Sequence, residues 1–121
     1  MNIGDVARRC GVSVDTVRYY ERRGVIGAAP RRPSGYRTYT DETVDRIRLA
    51  RRLQGLGLTL DEIRDALHAH DTGDATCASE RWRLETVRDR VEGKIADLTA
   101  LRGLIDATLA GCDAGDCVLS T

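Results

Sequence analysis

Three of the four cysteines in this 121-residue sequence are placed where thiolates could bind a metal ion. Cys112 and Cys117 flank residues 113–116 (Asp-Ala-Gly-Asp), and a glycine-containing loop can bring two thiolates around one ion. Cys77 stands 35 positions before Cys112. The N-terminus shows no secretory segment, so we expect a cytoplasmic, reducing compartment, where cysteines are thiols or metal ligands rather than disulfides.

The remaining potential ligands carry less information. Cys10 lies on the apolar face of a predicted helix, so we expect a small core residue there. His68 and His70 stand near a predicted helix end. They are compatible with either an accessory metal site or ordinary solvated side chains.

The arginines are unevenly distributed along the chain. Residues 1–60 contain 12 arginines against 6 acids, a balance of +6, whereas residues 61–121 contain 7 basic and 13 acidic residues, a balance of −6. A basic half joined to an acidic half is typical of a head that binds a polyanion, followed by a segment with a separate function.

Two short helices are predicted to position the first arginines. Apolar residues at positions 3, 6, 7 and 10 share one helical face, which Gly11 interrupts. Ser13 is a good N-cap for a second helix that stops at Gly24. Two short helices with a tight glycine turn predict a helix-turn-helix.

The elements that follow complete a small head. Residues 25–39 contain two prolines and a Ser-Gly pair, which predicts an irregular β-ribbon, or wing. Thr40 is expected to cap a third helix with apolar positions 44, 47, 49 and 53, ending near residues 55–57. Thr59 and Glu62 predict a capping box for a fourth helix to about His70, before a polar loop at 71–76.

The segment from about residue 78 to 110 predicts one long helix. Leu84, Val91, Leu98 and Ile105 repeat every seven residues, which is a heptad pattern. About 33 residues at 1.5 Å each give a rod of roughly 50 Å. A small head is too short to cover that stripe, so we expect a second copy to cover it. The alternative is a helix folded back on its own head.

Residues at the start of the second helix are the candidates for reading DNA, because a helix-turn-helix places this helix in the major groove. The candidates are Ser13, Asp15, Thr16, Arg18 and either Tyr19 or Tyr20. The planar fork of Arg18 matches guanine O6 and N7. Other arginines are expected to neutralise phosphates, and tyrosines to donate hydroxyls to them: Arg22, Arg23, Arg31, Arg32, Arg37 and Tyr36. Tyr19 and Tyr39 are equally compatible with a core role.

Three segments resemble the MerR family of bacterial regulators: residues 17–24, 35–39 and 56–63. The resemblance implies a winged-helix head and a homodimer held by an antiparallel pair of long helices. It also implies binding to double-stranded promoter DNA with an over-long spacer. Family members bend and untwist that spacer when the effector binds, so that RNA polymerase can use both promoter elements, which is indirect readout used as a switch.

The expected fold is therefore mainly α, with a winged helix-turn-helix DNA-binding head and a long C-terminal antiparallel coiled-coil dimerisation helix. We expect the head to span residues 1–70, the linker loop and dimerisation helix 71–110, and the metal-binding loop and tail 111–121. No run of about 18 apolar residues occurs, so no membrane segment is expected.

The resemblance also implies a role for Cys77. In an antiparallel dimer, Cys77 of one chain lies beside Cys112 and Cys117 of the other. Three thiolates suit soft or borderline ions. Family sensors of monovalent copper, silver and gold carry Ser where this chain has Cys77, so we expect a soft divalent metal ion: Hg(II) first, then Cd(II) or Pb(II). The four-residue loop is shorter than in relatives of this type.

Other functions remain open at this point. Zn(II) is an alternative ion, although zinc members usually offer further ligands in the loop. A thiol or redox signal, or a DNA-binding module with inert thiols, is a second class. A thiol–disulfide enzyme is disfavoured because no βαβ pattern surrounds the cysteines, so we expect no enzyme. An iron–sulfur cluster needs four cysteines, and a drug-binding member would have a larger effector domain.

Overall fold

The computed structural model describes residues 1–27 and 38–119, and every regular element within them is an α-helix. The helices are α1 (Ile3–Cys10), α2 (Val14–Arg22), α3 (Asp41–Gly55), α4 (Leu60–Asp71) and α5 (Cys77–Asp113). The chain divides into two compact units, Met1–Arg83 and Leu84–Thr121. The mainly α class is confirmed, whereas most of the expected wing, residues 28–37, lies outside the described residues.

Helices α1 and α2 form the predicted helix-turn-helix. Asn2 and Asp5 make a capping box, in which the Asn2 side chain accepts from the Asp5 N–H at 2.8 Å. Gly11 ends α1 with φ 67°, and its N–H donates to the carbonyl of Arg8 at 3.2 Å. Ser13 then caps α2, and α1 packs against α2. The turn is therefore built from local capping interactions.

The core of the first unit is formed where α1 packs on α2 and α3, and α3 packs on α4. Its most deeply buried side chains are Val6, Val17, Tyr20, Val25, Ile47, Ile63 and Leu67. The predicted third helix is present, and within it Leu49 and Leu53 are only half-buried while Ala50 is fully buried. Ala50 follows Ile47 by three residues on the same helical face, and its small side chain gives a weak hydropathy signal.

Arginine side chains tie these helices together. Arg46 of α3 donates from Nε to the carbonyl of Val25 at 2.9 Å and pairs with Asp71 at the end of α4. The hydrogen bond from Arg46 lowers the pKa of the Asp71 carboxyl. Arg64 of α4 donates to the carbonyl of Arg23, just after α2, at 3.0 Å. Arg46 and Arg64 therefore connect separate segments of the first unit through hydrogen bonds.

Helix α5 is longer than predicted. Thr76 caps it, accepting from the Ser79 N–H at 3.0 Å, and the helix runs for 37 residues to Asp113. Cys77, Cys112 and Cys117 were all expected outside the helix. Cys117 is outside it, but Cys77 is its first residue and Cys112 lies in its last turn. Thr76 extends the N-terminus, because its hydroxyl satisfies a backbone N–H there.

The second unit consists mainly of α5, and most of its large apolar side chains are exposed. Leu98 is 65% exposed and Ile105 49%. The same is true of Leu84, Val91, Ile95, Leu101, Leu104 and Leu109. Within the described residues, no helix is long and apolar enough to cross a membrane.

Candidate nucleic-acid interface and metal-binding cysteines

One face of α2 is exposed and carries polar, charged and aromatic groups. Its members lie at i, i+3, i+4 and i+7, so they form a stripe along the helix: Asp15, Arg18, Tyr19 and Arg22. Val17 and Tyr20 lie on the other side and are buried. Packing in the first unit therefore determines which face of α2 can meet a ligand. We call the exposed set the α2 stripe.

Arg18 is well placed on the α2 stripe to bind an external acceptor. Its side chain is 59% exposed, and its ion pair with the exposed Asp15 carboxylate has an N···O distance of 3.9 Å. An exposed pair at that distance contributes little free energy. Further along, the guanidinium groups of Arg22 and Arg23 lie 5.9 and 6.0 Å from the centre of the Tyr19 ring. This end of α2 therefore combines positive charge with an exposed aromatic ring.

Ser13 and Thr16 stabilise the start of the same helix. The Ser13 hydroxyl accepts from the Thr16 N–H at 3.1 Å, and the two hydroxyl oxygens lie 2.9 Å apart. Ser13 is exposed and Thr16 is half-buried. Their first role is to cap α2, which places them beside the α2 stripe.

Tyr20 is placed differently from the prediction that it reads DNA. It is only 2% exposed, and its hydroxyl donates to Gln54 Oε1 at 2.9 Å. A ring held in the core cannot reach a base edge, so Tyr20 is a packing residue. Tyr39 is also buried and its hydroxyl donates to Glu21, which confirms its core role, while Tyr19 is exposed. The other predicted DNA contacts, Arg31, Arg32, Tyr36 and Arg37, lie outside the described residues.

The structure brings two of the predicted metal ligands together. The sulfur atoms of Cys112 and Cys117 lie 2.9 Å apart, and Cys112 donates to Cys117. The turn between them is a Schellman motif: the Gly115 N–H donates to the Cys112 carbonyl at 3.0 Å, and the Asp116 N–H donates to the Gly111 carbonyl at 2.7 Å. Gly115 has φ 93°. We call residues 111–117 the cysteine turn.

The cysteine turn fits a thiophilic ion. For zinc, with Zn–S bonds of about 2.3 Å, two thiolates on one tetrahedral ion lie roughly 3.8 Å apart, so the sulfurs would need to separate by about 1 Å. The hydrogen bond between the thiols, with some burial, raises the pKa of Cys112. A metal ion bound by this thiol would have to displace its proton, so its affinity would rise with pH.

The remaining candidate ligands are separate from this pair. Cys77 is exposed at the start of α5, and His68 and His70 are exposed near the end of α4. Among residues 1–27 and 38–119 of the single chain, no three His, Cys, Asp or Glu side chains converge as a metal site. Cys10 was expected in the core but is only half-buried, with its sulfur 3.8 Å from the Val44 carbonyl oxygen, so it lies at the edge of the core.

Known proteins are similar to this chain in sequence and in fold. Residues 1–70 match the family "MerR HTH family regulatory protein". Residues 44–108 match the family "MerR, DNA binding". The mercuric resistance operon regulatory protein of Bacillus cereus is 38% identical over 104 residues, which cover 85% of this chain and 78% of that protein.

Two further proteins extend the comparison. The HTH-type transcriptional regulator HmrR of Rhizobium leguminosarum bv. viciae is 34% identical over 116 residues, covering 96% of this chain and 89% of that protein. The transcription regulator PbrR691 of Ralstonia metallidurans CH34, solved in complex with lead(II), superposes with a TM-score of 0.80 and 31% identity. The match covers 88% of this chain and 84% of that one.

Proposed function

This chain belongs to the MerR helix-turn-helix family of regulatory proteins, and we propose that it is a metal-responsive transcription regulator that binds promoter DNA as a homodimer. The observation that carries the proposal is the pair of thiols in the cysteine turn, 2.9 Å apart, in a chain whose α2 presents an exposed, arginine-bearing face. A head that can bind a polyanion, with a thiol pair at the end of another helix, suits such a regulator. No enzymatic activity is proposed.

We propose that the α2 stripe enters the major groove of the promoter. Arg18 would donate both arms of its guanidinium to a guanine, while Arg22 would neutralise a phosphate. Ser13, Asp15 and Thr16 lie at the start of the same helix, where side chains meet base edges in helix-turn-helix proteins. Arg31, Tyr36 and Arg37 are proposed as backbone contacts, from the sequence alone.

We propose that a second copy covers the apolar side of α5. The exposed heptad residues form an apolar stripe along α5, and its exposure to water is unfavourable. A helix of 37 residues is about 55 Å long. An antiparallel pair of such helices buries both stripes. It also brings the start of one α5, with Cys77, beside the end of the other, with Cys112 and Cys117.

The proposed metal site is therefore shared between protomers, with Cys77 from one chain and the cysteine turn from the other. Bound there, a soft divalent ion would join the two chains through metal–thiolate bonds. We propose Hg(II) as the cognate ion, followed by Cd(II) or Pb(II), with Zn(II) as the alternative. Through the family's mechanism, this link would distort the promoter for RNA polymerase.

A mixed dimer tests the shared site. One chain carries Cys77→Ser, and the other carries Cys112→Ser and Cys117→Ser. If the site is shared, one complete set of three thiols remains, made from Cys77 of the second chain and the cysteine turn of the first. We expect one tightly bound Hg(II) per mixed dimer by mass spectrometry of the native complex. Binding no tighter than in a dimer whose two chains both carry Cys77→Ser, which keeps the cysteine turn but no Cys77, contradicts the shared site.

The lone tryptophan gives a second readout at Cys77. Trp82 is 55% exposed and lies five residues along α5 from Cys77, a rise of roughly 8 Å. A heavy ion bound to Cys77 should quench its fluorescence. Cys77→Ser should remove this quenching and the transcriptional response while leaving the dimer and operator binding intact. Quenching unchanged by Cys77→Ser would exclude Cys77 as a ligand.

The 2.9 Å thiol pair also favours a second candidate signal, which is oxidation of the two thiols. The two candidates separate in one experiment: transcription in vitro from the target promoter under reducing conditions, with and without metal. Activation by Hg(II), Cd(II) or Pb(II) in the presence of reductant supports the metal signal. Activation only after removal of reductant, without metal, supports the thiol signal.

A further inference from the structure

We propose that Gly111 and Gly115 are positioning residues of the cysteine turn, which set the separation of the Cys112 and Cys117 thiols and hence the affinity for a thiophilic ion. The inference rests on the proposed metal function. It assigns a role to two glycines that offer no ligand atom of their own. It also explains how a loop of only four residues can serve as a chelate.

Gly115 supplies a backbone conformation that other residues resist. Its φ of 93° lies in the region that disfavours side chains, and its N–H donates to the Cys112 carbonyl at 3.0 Å. A β-branched residue at this position would clash with its own backbone. The chain would then leave the turn, and Cys117, two residues later, would move away from Cys112.

Gly111 supplies space for the returning chain. A Cβ atom built on Gly111 would lie 3.1 Å from the carbonyl oxygen of Asp116, closer than ordinary van der Waals contact. The Asp116 N–H also donates to the Gly111 carbonyl at 2.7 Å, so the two residues are held against each other. A side chain at 111 therefore requires Asp116, which directly precedes Cys117, to shift by a few tenths of an ångström.

These two glycines differ from another glycine of the same helix. A Cβ atom on Gly103 would meet nothing within 4 Å, and its φ is not positive. Gly103 also falls on the outer side of the heptad stripe, five residues after Leu98. Gly103→Ala is therefore a matched control: the same chemical change in the same helix, without effect on the cysteine turn.

The first test compares two substitutions at Gly115 in the full-length dimer. Cadmium–thiolate bonds absorb in the ultraviolet, so a Cd(II) titration against a competing chelator measures affinity. We expect Gly115→Val to bind Cd(II) about tenfold more weakly than wild type. Gly115→Asn should recover most of that loss, because Asn tolerates positive φ. Equal affinity for Val, Asn and Gly at position 115 overturns the role of Gly115.

The second test uses Gly111→Ala, which should keep or raise the stability of the helix but weaken metal binding. Alanine favours a helix over glycine, so Gly111→Ala and Gly103→Ala should both keep or raise the thermal stability of α5, followed by circular dichroism. Only Gly111→Ala should weaken Cd(II) binding, by roughly fivefold. If the two variants bind Cd(II) equally well, the role of Gly111 is refuted.

A metal-independent readout separates this inference from the proposed function. In glutathione buffers, Cys112 and Cys117 lose two hydrogens to glutathione disulfide, which gives one protein disulfide and two glutathione molecules. We expect Gly115→Val to need a higher ratio of glutathione disulfide for half-oxidation than wild type, because its thiols meet less often. An unchanged ratio contradicts the inference. If the wild-type protein binds none of Cd(II), Hg(II) and Pb(II), the proposed metal function is refuted. The glutathione experiment still tests whether Gly115 sets the separation of the two thiols.

Discussion

The two units of this protein differ in how far their large apolar side chains are buried. In Met1–Arg83, Ile47, Ile63 and Leu67 are fully buried by neighbouring helices of the same chain. In Leu84–Thr121, Leu98 and Leu104 are 65% and 67% exposed. The helix-turn-helix head can close its own core because several of its helices pack on one another. A single long helix has no second layer, and apolar surface then favours association.

The units differ in their charged residues as well. In the first unit, Arg46 and Arg64 donate to backbone carbonyls and join helices, while Arg18 and Arg22 face outward. The sequence of the second unit is acidic, which suits a segment that does not contact a polyanion. Stability of the first unit should therefore be a property of one chain, and that of the second a property of the pair.

The largest expected effect follows from charging the exposed stripe of α5. Val91→Asp with Leu98→Asp should give monomers that no longer bind a palindromic operator, because four carboxylates would be buried in each dimer. Light scattering at micromolar concentration measures the mass. Ala96→Asp, on the outer side of the heptad pattern, is the control and should remain dimeric. A wild-type mass of about one 13.3 kDa chain would contradict the dimer.

Core truncation sharpens the comparison between the units. Ile47→Ala should lower the free energy of unfolding of the first unit by about 2–5 kcal/mol, since it leaves a cavity among packed helices. This loss should not depend on protein concentration in urea melts. The loss caused by Leu98→Ala should depend on concentration, because Leu98 is 65% exposed in the single chain and would be covered in the proposed dimer. If the two losses of stability depend on protein concentration in the same way, the expected difference between the two units is wrong.

The exposed Arg18 on the α2 stripe should affect binding rather than folding. Arg18→Ala should weaken operator binding by about 1–3 kcal/mol and relax specificity, while leaving the melting temperature unchanged. Arg37→Ala is expected to weaken binding to all sequences and flatten the salt dependence. Gel-shift titrations at matched salt measure both. If Arg18→Ala binds its operator as wild type does, the α2 stripe is not the recognition surface.

The smallest expected effect concerns the pair Arg46–Asp71 in the first unit. Because Arg46 lowers the pKa of the Asp71 carboxyl, the pair stabilises the fold above the pKa that Asp71 has when unfolded. That stability is lost as the pH falls through the lowered folded pKa. Asp71→Asn should cost about 1 kcal/mol or less at neutral pH, since the pair is partly exposed. The difference from wild type should vanish in acid, as followed by urea melts across pH.

Much of the local structure could be predicted from the sequence. The N-cap at Ser13, the capping box of Thr59 with Glu62 and the stop after α1 at Gly11 are all present. These features depend on groups within about four residues of one another, so residue types and spacing are sufficient to specify them. The heptad pattern of the long helix has the same origin, because it reflects the helical repeat itself.

The position of Tyr19 and Tyr20 shows where local information ends. They are neighbours on α2 with the same side chain, yet Tyr19 is 40% exposed and Tyr20 is 2% exposed. Which ring is buried depends on how α2 is rotated against the rest of the head, and that rotation is set by packing with other helices. The division of arginines into those that join helices and those that face outward has the same cause.

The sequence by itself therefore determined most of the helical segments, the caps at Ser13 and Thr59, the heptad pattern and the identity of the thiols, because these follow from short-range interactions. It did not determine every cap: Thr40 precedes α3 but makes no side-chain capping hydrogen bond. The tertiary structure decided which α2 face is exposed, which arginines are available and that Ala50 belongs to the core. At the cysteine turn, the C-x4-C spacing indicated a pair. Only the folded backbone, through two hydrogen bonds and the positive φ of Gly115, showed how that pair closes to 2.9 Å.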